Sequence, residues 1–193
     1  MSLSQKQLVR DEIKKVLFEM GEQIRRDKSE RLAAILVKFM KGKIKALSWD
    51  SVVLGCYFPF DGEPDWTGVR SEMPPKLSFS RIADQGEMSF HLCGIENLCN
   101  EKFGKISLKA PPVESVLVVP DVLLIPGMAF TSKGDRLGRG GGYYDRYCES
   151  KNILKIALCF EEQIRSGLPT LDHDIKMDAI ITDERIISCS FET

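Results

Sequence analysis

The stretch of the chain that says most about its fold is residues 122–146, which read VLLIPGMAFTSKGDRLGRGGGYYDR. Residues 122–125 are all apolar and end at a Pro-Gly pair. A short, uninterrupted apolar run is typical of a strand that is covered on both faces. The glycines and arginines that follow predict a loop, and we expect a helix to begin within or just after the glycines. This order of strand, loop and helix is the first indication of an α/β fold.

Apolar runs of the same kind recur on both sides of this stretch. They occupy residues 52–58, 116–119, 153–160 and 179–182, and helical patterns lie between several of them. Strands that alternate with helices indicate a largely parallel sheet. Residues 76–93 have mixed polarity instead and predict one or two antiparallel strands. We therefore predict an α/β fold of three layers, in which helices flank a largely parallel central sheet.

Length and composition are those of one compact unit. A chain of 193 residues that is 43% hydrophobic is expected to bury about 70% of its unfolded surface. No repeat, low-complexity segment or long linker interrupts the sequence, so residues 1–193 are predicted to form a single domain. The 27 basic and 28 acidic residues nearly cancel, which argues against nucleic acid or an anionic membrane as a partner.

The cysteines and the hydrophobicity profile bear on the cellular compartment. Six cysteines and two histidines occur without any C-x-x-C pair, so a zinc site is not expected. Cysteines in apolar stretches are typical of a reducing compartment. His91 and His173 have no motif around them, and we expect surface or structural roles for both. The first thirty residues carry charges throughout, and no apolar run approaches the length of a membrane span. We therefore expect a soluble, cytoplasmic protein.

Two helices are predicted before the first strand. The first runs from Ser4 to about Met20 and is opened by a capping box of Ser4 and Gln7. The second runs over residues 29–41, with Gly42 as its stop. Their apolar residues recur at helical spacing, so each helix is expected to bury one face.

Two cations lie in an unusual place on the first helix. Lys6 and Arg10 fall beside Ile13 and Leu17, on the edge of the apolar stripe. From this spacing alone, the simpler interpretation is that both side chains extend from the edge of the helix into water.

The glycine-rich residues 136–146 have the composition of an anion-binding loop. Backbone without Cβ atoms can turn several N–H groups toward one anion, and a helix N-terminus adds free donors. Arg136, Arg139 and Arg146 supply charge that suits phosphate oxygens. Asp145 is placed to hold magnesium beside bound phosphates or to complement the helix dipole. The segment matches neither the Walker A motif nor the Rossmann fingerprint, and a flexible, solvated loop is the alternative.

Two segments, residues 124–130 and 134–146, resemble the sequence pattern of the 5-formyltetrahydrofolate cyclo-ligases in residue types and in spacing. Weaker similarities extend over nearly the whole chain, at residues 6–10, 60–65, 160–163, 174–178 and 180–184. The resemblance implies an enzyme that uses ATP and magnesium to close 5-formyltetrahydrofolate into 5,10-methenyltetrahydrofolate. In the family reaction the formyl oxygen is phosphorylated, and ADP and phosphate are released. No serine or cysteine nucleophile, and no covalent enzyme intermediate, is expected.

The resemblance also implies roles for individual residues. ATP would be bound by Lys6, Arg10, Arg136, Leu137, Gly138, Arg139, Gly140, Gly141, Gly142, Tyr143 and Tyr144. The folate would lie against Phe60, Asp65, Arg139, Gly140, Gly141, Gly142 and Tyr143. Magnesium would be held by Asp145 and Asp174. Catalysis would involve Lys6, Arg139 and Tyr143. An edge of the first helix that faces the nucleotide would account for the placement of its two cations.

Some of these positions have a simpler interpretation without the resemblance. Asp65 is then a surface acid before a helix at Trp66, and Asp174 is a turn residue. The chain also departs from the family pattern at Thr131, where aspartate is common, and at Ala110, where many members have glutamate. Neither departure removes a predicted phosphate or metal ligand.

Two other functions stay open at this point. The departures at Thr131 and Ala110 are compatible with a non-catalytic paralogue, which binds folate or nucleotide and has a regulatory role. An RNA-binding accessory protein is disfavoured by the neutral net charge and by the absence of an RNA-recognition motif. The expected partners are ATP and a small-molecule folate, and the expected state is a monomer.

Overall fold

The computed structural model describes residues 3–43, 48–83, 86–104, 106–171 and 173–189. The helices in these ranges are α1 (Leu3–Glu19), α2 (Glu22–Lys43) and α3 (Tyr143–Cys148). The strands are β1 (Val53–Cys56), β2 (Lys76–Ile82), β3 (Met88–Leu92), β4 (Cys99–Phe103), β5 (Ile106–Ala110), β6 (Leu117–Val118), β7 (Val122–Ile125), β8 (Ala129–Thr131), β9 (Arg136–Leu137), β10 (Leu154–Leu158), β11 (Ile164–Arg165), β12 (Ala179–Ile181) and β13 (Ile186–Ser188). Short 3-10 helices occupy Thr67–Glu72, Ile95–Asn97 and Glu161–Gln163.

An eight-stranded sheet forms the centre of the molecule, in the order β13-β12-β10-β7-β1-β2-β3-β6. From β12 to β2 each strand runs parallel to its neighbour, whereas β13, β3 and β6 make antiparallel pairs. The predicted α/β fold with a largely parallel central sheet is confirmed.

Alternate residues of the central strands face opposite layers. Leu54 and Leu124 are completely buried in a core that includes Leu36 of α2. On the other face, Leu123 packs in a core that includes Tyr147 of α3. Since side chains alternate along a strand, apolar layers on both faces require the uninterrupted apolar runs seen in the sequence. The three predicted layers are therefore confirmed.

A third and smaller core attaches α1. Ile13 and Leu17 of this helix pack with Met128, Leu137 and Phe160. The helix therefore lies over the strand pair β8–β9 and carries its first turns to the edge of the central sheet. Among the described residues, no helix combines the length and the apolar character needed to cross a membrane.

The predicted helix ends need correction. Since α1 begins at Leu3, Ser4 lies inside it and is not the N-cap. Helix α2 begins at Glu22, well before the predicted residue 29, and it continues through Gly42. Its first turns carry no apolar stripe that could have indicated a helix. They show side-chain hydrogen bonds between positions four apart instead, such as Gln23 with Asp27, which support a solvent-facing helix.

The antiparallel strands predicted at 76–93 are β2 and β3, which pair antiparallel with each other. Strand β2 also pairs with β1, and this pair is parallel, because residues 57–75 cross over and return the chain in the same direction. The strand predicted at 116–119 needs correction. Strand β6 lies at the edge of the sheet, where Leu117 is 65% exposed. An apolar run does not distinguish an edge strand from a central one, so the prediction of a covered strand at 116–119 was wrong.

Candidate active site

A cavity of about 1160 Å³ opens at the carboxyl ends of β1 and β7. Residues 57–60, which follow β1, and Pro126 and Gly127, which follow β7, line it. In open α/β sheets this is the edge at which ligands bind. Its other walls come from the first turns of α1, the β4–β5 hairpin, the glycine-rich residues, and Leu171, His173 and Asp174.

The glycine segment, defined as residues 138–142, is held at both ends. Before it, β9 pairs with β8 in a three-stranded sheet, so the predicted loop at 136–146 is shorter than expected. Gly140 has φ +110° and Gly142 has φ +64°, backbone conformations that glycine tolerates and other residues avoid. Helix α3 begins at Tyr143, directly after the last glycine, as predicted.

Arg136 is a buried cation beneath the glycine segment. Its Nε donates to the Pro126 carbonyl at 3.0 Å, and its Nη1 lies 3.7 Å from Oδ2 of Asp145. The guanidinium also stacks over the Tyr144 ring, 5.1 Å from its centroid. Because its side chain is only 6% exposed, Arg136 contributes a fixed positive charge to the cavity wall.

Lys6 and Arg10 both point into the cavity, so the interpretation that they extend into water was wrong. Lys6 Nζ lies 2.6 Å from Oδ2 of Asp174, and both side chains are nearly buried. Arg10 Nε donates to the Gly138 carbonyl at 2.9 Å. The inward edge of α1 thus places two cations against residues more than 120 positions away.

The two predicted metal ligands stand on neighbouring parts of the cavity rim. Asp145 Oδ1 accepts a hydrogen bond from the Ile175 backbone at 3.2 Å, and Asp174 Oδ2 accepts one from Leu171 at 2.7 Å. In the described part of the chain, no three His, Cys, Asp or Glu side chains converge as a metal cage. Two carboxylates suit Mg²⁺, which takes most remaining ligands from water and phosphate. The donor set therefore fits this ion.

A tight turn at residues 60–63 forms the wall of the cavity that faces the glycine segment. Asp61 has φ +48° and Gly62 φ +80°, and the Glu63 backbone donates to the Phe60 carbonyl at 3.2 Å. Two successive positive φ angles with this hydrogen bond are the signature of a type I′ turn, for which Asp-Gly is a preferred pair. We call residues 60–63 the acidic turn.

Arg139 crosses the cavity from the glycine segment to the acidic turn. Its Nε donates to Glu63 Oε1 at 3.0 Å and its Nη1 to Asp61 Oδ2 at 3.2 Å. Its Nη2 donates to the carbonyls of Phe60 and Asp61 at 3.0 and 3.1 Å. The guanidinium also lies 5.4 Å from the centroid of the Phe60 ring. Two predicted folate-binding positions, Phe60 and Arg139, are therefore in direct contact.

Glu63 is the carboxylate that this turn presents to the cavity, and it was not among the site residues predicted from the sequence. Asp65, predicted to bind the folate, is exposed, does not line the cavity, and accepts hydrogen bonds from the Thr67 backbone and hydroxyl. Burial raises the pKa of the Glu63 carboxyl, although Arg139 opposes the change. The Asp-Gly pair could have indicated Glu63, because a turn of this type returns the fourth residue beside the first.

The other half of the cavity is largely apolar, although Asn100, Ser107 and Lys109 of the β4–β5 hairpin also line it, and we call it the apolar half. Ile82 and Met88 line it from the central sheet, and Phe103, Ile106 and Leu108 line it from the β4–β5 hairpin. The Phe103 ring meets that of Tyr143 edge to face, with centroids 6.0 Å apart, so the hairpin touches the start of α3. None of these apolar residues was singled out from the sequence.

The tyrosines and histidines near the cavity differ in their environments. The Tyr143 ring also has Arg146 stacked over it, 5.2 Å from its centroid. Burial raises the pKa of the Tyr144 hydroxyl far above its usual value, so Tyr144 stays protonated. His173 is exposed at the cavity rim, whereas His91 bonds to Ser89 and to the Ser115 carbonyl, as a structural histidine does.

Comparison with known proteins identifies the family of the chain. A model of the 5-formyltetrahydrofolate cyclo-ligase family matches residues 2–183. The chain belongs to this family. The cyclo-ligase of Mus musculus is 40% identical over 70 residues, or 33% of this chain and 34% of that protein. The probable cyclo-ligase of Schizosaccharomyces pombe is 34% identical over 110 residues, or 48% and 52%. The aligned part thus spans about a third to a half of these relatives' length.

A solved structure agrees over a larger part of the chain. The 5,10-methenyltetrahydrofolate synthetase of Aquifex aeolicus has a TM-score of 0.77 and 26% identity, covering 97% of this chain and 94% of that one. The synthetase of Mycoplasma pneumoniae, at 19% identity and a TM-score of 0.71, shares the fold.

The departures from the family pattern lie outside the charged half of the cavity. The Thr131 hydroxyl donates to Asp135 Oδ2 at 2.7 Å and accepts from the Asp135 backbone at 3.2 Å. Thr131 therefore holds the turn that leads into β9, a task that a short acceptor side chain performs. Ala110 is buried at the end of β5.

Proposed function

We propose that this cyclo-ligase family member catalyses the ATP- and magnesium-dependent conversion of 5-formyltetrahydrofolate to 5,10-methenyltetrahydrofolate, with release of ADP and phosphate. The observation that carries the proposal is one cavity with a cationic half and an apolar half that meet at the glycine segment. A triphosphate requires the first half and an aromatic, largely apolar folate the second. The names of the matched relatives support the same reaction.

The phosphate chain of ATP is assigned to the cationic half. Lys6, Arg10 and Arg136 surround the glycine segment with positive charge that neutralises phosphate oxygens. Glycine at positive φ leaves the backbone open to close approach. Asp145 and Asp174 would hold magnesium, which neutralises charge on the phosphates as they react.

The folate is assigned to the apolar half, between Phe60 and the β4–β5 hairpin. Aromatic side chains at Phe60, Phe103 and Tyr143 offer flat surfaces for its rings. Arg139 lies at the junction of the two halves, where the formyl oxygen would meet the terminal phosphate of ATP.

In the proposed reaction, the protein positions the reacting groups and neutralises the charge on the phosphates. The formyl oxygen attacks the terminal phosphorus, and ADP leaves. The neighbouring secondary amine then adds to the activated carbon. Loss of its proton and of phosphate leaves the methenyl ring. Because both nitrogens belong to one substrate, orientation supplies up to about 7–11 kcal/mol. Cations and backbone donors are suited to phosphoryl transfer, for which preorganised charge is the main protein contribution.

The absorbance of methenyl-folate tests the proposal. Purified protein with ATP, magnesium and 5-formyltetrahydrofolate is expected to generate this chromophore, with one ADP formed for each ring closed. Reactions without ATP, without magnesium or with Asp145→Asn should fall more than tenfold. A protein that is folded by circular dichroism and shows no turnover above background would overturn the proposal.

A further inference from the structure

Lys109 differs from the other cations that line the cavity. Among the described residues, six lysine and arginine side chains border this space. Five of them already hold protein partners, namely Lys6, Arg10, Arg136, Arg139 and Arg146. The ammonium group of Lys109 has no hydrogen-bond or ion-pair partner in the described part of the chain, and its side chain is exposed. Its charge is therefore available to a ligand.

The β4–β5 hairpin carries Lys109 on a polar face. Since side chains alternate along a strand, Asn100, Ser107 and Lys109 share this face, and Lys109 lies opposite Asn100 in register. All three are exposed and line the cavity, which apolar residues of the other face also border. The only acid in the hairpin sequence, Glu101, belongs to that other face, where Arg81 binds it. Donors without a neighbouring carboxylate suit an anion.

The base of the hairpin holds the backbone of Lys109 in place. Ala110, the next residue, is 5% exposed, and the Pro111 carbonyl accepts a hydrogen bond from Nη1 of Arg81 at 2.6 Å. Nη2 of the same guanidinium binds Glu101 of β4, so both strands of the hairpin are fastened to β2. Only the side chain of Lys109 has to be ordered when a ligand binds, which keeps the cost of binding low.

Lys109 lies away from the place where the two halves of the cavity meet. At the tip of the hairpin, Phe103 meets Tyr143 beside the glycine segment, and Ile106 is the register partner of Phe103. Three residues of strand separate Ile106 from Lys109, a distance of about 10 Å. In the proposed substrate, an aminobenzoyl ring separates the formyl group from a glutamyl group with two carboxylates. A folate with its formyl oxygen at the junction can direct these carboxylates toward Lys109.

We propose that Lys109 is a substrate-binding residue, which binds a glutamyl carboxylate of the folate together with Asn100 and Ser107. The inference rests on the proposed function for the identity of the ligand. A glutamyl group with two negative charges requires a cation, and Lys109 is the lining cation that no described residue engages. Lys109 takes no part in phosphoryl transfer, so its loss weakens folate binding and leaves the rate of the bound substrate unchanged.

Calorimetry of folate binding tests the contact without turnover. We titrate 5-formyltetrahydrofolate in the presence of magnesium, a non-hydrolysable ATP analogue and about 0.15 M salt. Lys109→Met removes the charge, keeps the aliphatic chain and is expected to raise Kd about fivefold. Lys102→Met is the matched control, since Lys102 is an exposed cation of the same face outside the cavity lining. It should change Kd less than about twofold. Equal Kd values for K109M and the wild type would overturn the proposal.

A change in the ligand shows which of its groups Lys109 binds. In the diamide of 5-formyltetrahydrofolate, both glutamyl carboxylates are replaced by neutral amides. The wild type is expected to bind the diamide about fivefold more weakly than the parent compound, whereas K109M should bind the two within about twofold of each other. If K109M keeps the preference of the wild type for the carboxylates, another group binds them and the proposal is wrong.

Steady-state kinetics separate this inference from the proposed function. K109M is expected to raise KM for the folate about fivefold and to leave kcat and KM for ATP within about twofold of the wild type. A large loss of kcat would refute a role confined to binding. Binding that depends on Lys109 and on the carboxylates, in a protein without cyclo-ligase activity, would keep this inference and overturn the proposed function. Turnover by the wild type, with equal folate affinity in K109M, would do the reverse.

Discussion

Lys6 forms an ion pair with Asp174, which lies 168 positions later in the chain. This pair brings two predicted site residues together in the charged half of the cavity. The helical spacing identified Lys6 as unusual, but no pattern in the sequence could name its partner. Glu63 was missed for a related reason, since the environment of a turn residue depends on which wall it faces. Residue types and local turns could be predicted, whereas pairings between distant segments required the fold.

Lys6→Met tests the role of this cation, because it removes the charge and keeps the aliphatic chain. We expect KM for ATP to rise more than tenfold, since the proposed phosphate contact of this nearly buried cation is lost. Steady-state kinetics at varied ATP measure the change. Lys15→Met on the exposed side of the same helix is the control and should behave as the wild type. Similar KM values for the two variants would contradict the role of Lys6.

Gly140 gives a second prediction for a single residue. Its φ of +110° is strained for any residue with a Cβ atom, at a cost of about 1–3 kcal/mol. Gly140→Ala is therefore expected to reshape the glycine segment and to reduce kcat/KM for ATP more than tenfold, and to lower the melting temperature by roughly 2–4 °C for each kcal/mol of strain that remains. Gly68→Ala, at an open position without positive φ, is the control. Wild-type kinetics for G140A would show that the segment does not shape the phosphate site.

At the scale of elements, the sheet was easier to predict than the helix ends. Buried strands such as β7 require apolar residues on both faces, so their sequence is distinctive. The first turns of α2 lack a distinctive apolar pattern, because charged and polar side chains hold them in place. Lys28 of this helix lies 2.7 Å from the fully buried Asp183 and 2.9 Å from Glu162. The link fastens α2 to the turn between β12 and β13.

This link predicts a dependence of stability on pH. Burial alone would raise the pKa of Asp183, but hydrogen bonds from Lys28 and from the Glu161 backbone lower it below its ordinary value. A carboxyl whose pKa is lowered on folding stabilises the protein above its unfolded-state pKa, and the contribution is lost as pH falls through the folded one. Asp183→Asn should therefore cost about 3 kcal/mol near pH 7, and the cost should shrink below about pH 4.

Urea unfolding at pH 7 and at pH 3 measures this cost. Glu184→Gln, an exposed change in the same turn, is the control and should alter stability by less than about 0.5 kcal/mol at either pH. A D183N deficit that is the same at both pH values would mean that the charge of Asp183 is not what fastens α2.

For the whole molecule, the class of fold and the place of the glycine-rich residues directly after a buried strand follow from the order of strands and glycines. The apolar half of the cavity does not, since the β4–β5 hairpin reaches it through contacts between distant segments. Among the described residues, seven separate parts of the chain line the cavity, listed in order as α1, residues 57–63, the ends of β2 and β3, the β4–β5 hairpin, residues 126–127, residues 136–149, and residues 171 and 173–174. Binding at such a site should stabilise the entire fold.

Thermal unfolding with a non-hydrolysable ATP analogue tests this expectation. With magnesium, a concentration of about 100 times Kd should add roughly 2.7 kcal/mol to the free energy of unfolding. Without magnesium, or with Asp145→Asn, the same analogue concentration should give a clearly smaller increase in melting temperature, because the phosphate charge is less well neutralised. Equal increases with and without magnesium would contradict the assignment of Asp145.

The pairing of Lys6 with Asp174 has a consequence for biosynthesis. Lys6 is translated 168 residues before Asp174, so a nascent chain carries only half of the pair until Asp174 has been added. A product that terminates between the two residues therefore lacks the ion pair that joins the first helix to this part of the cavity wall.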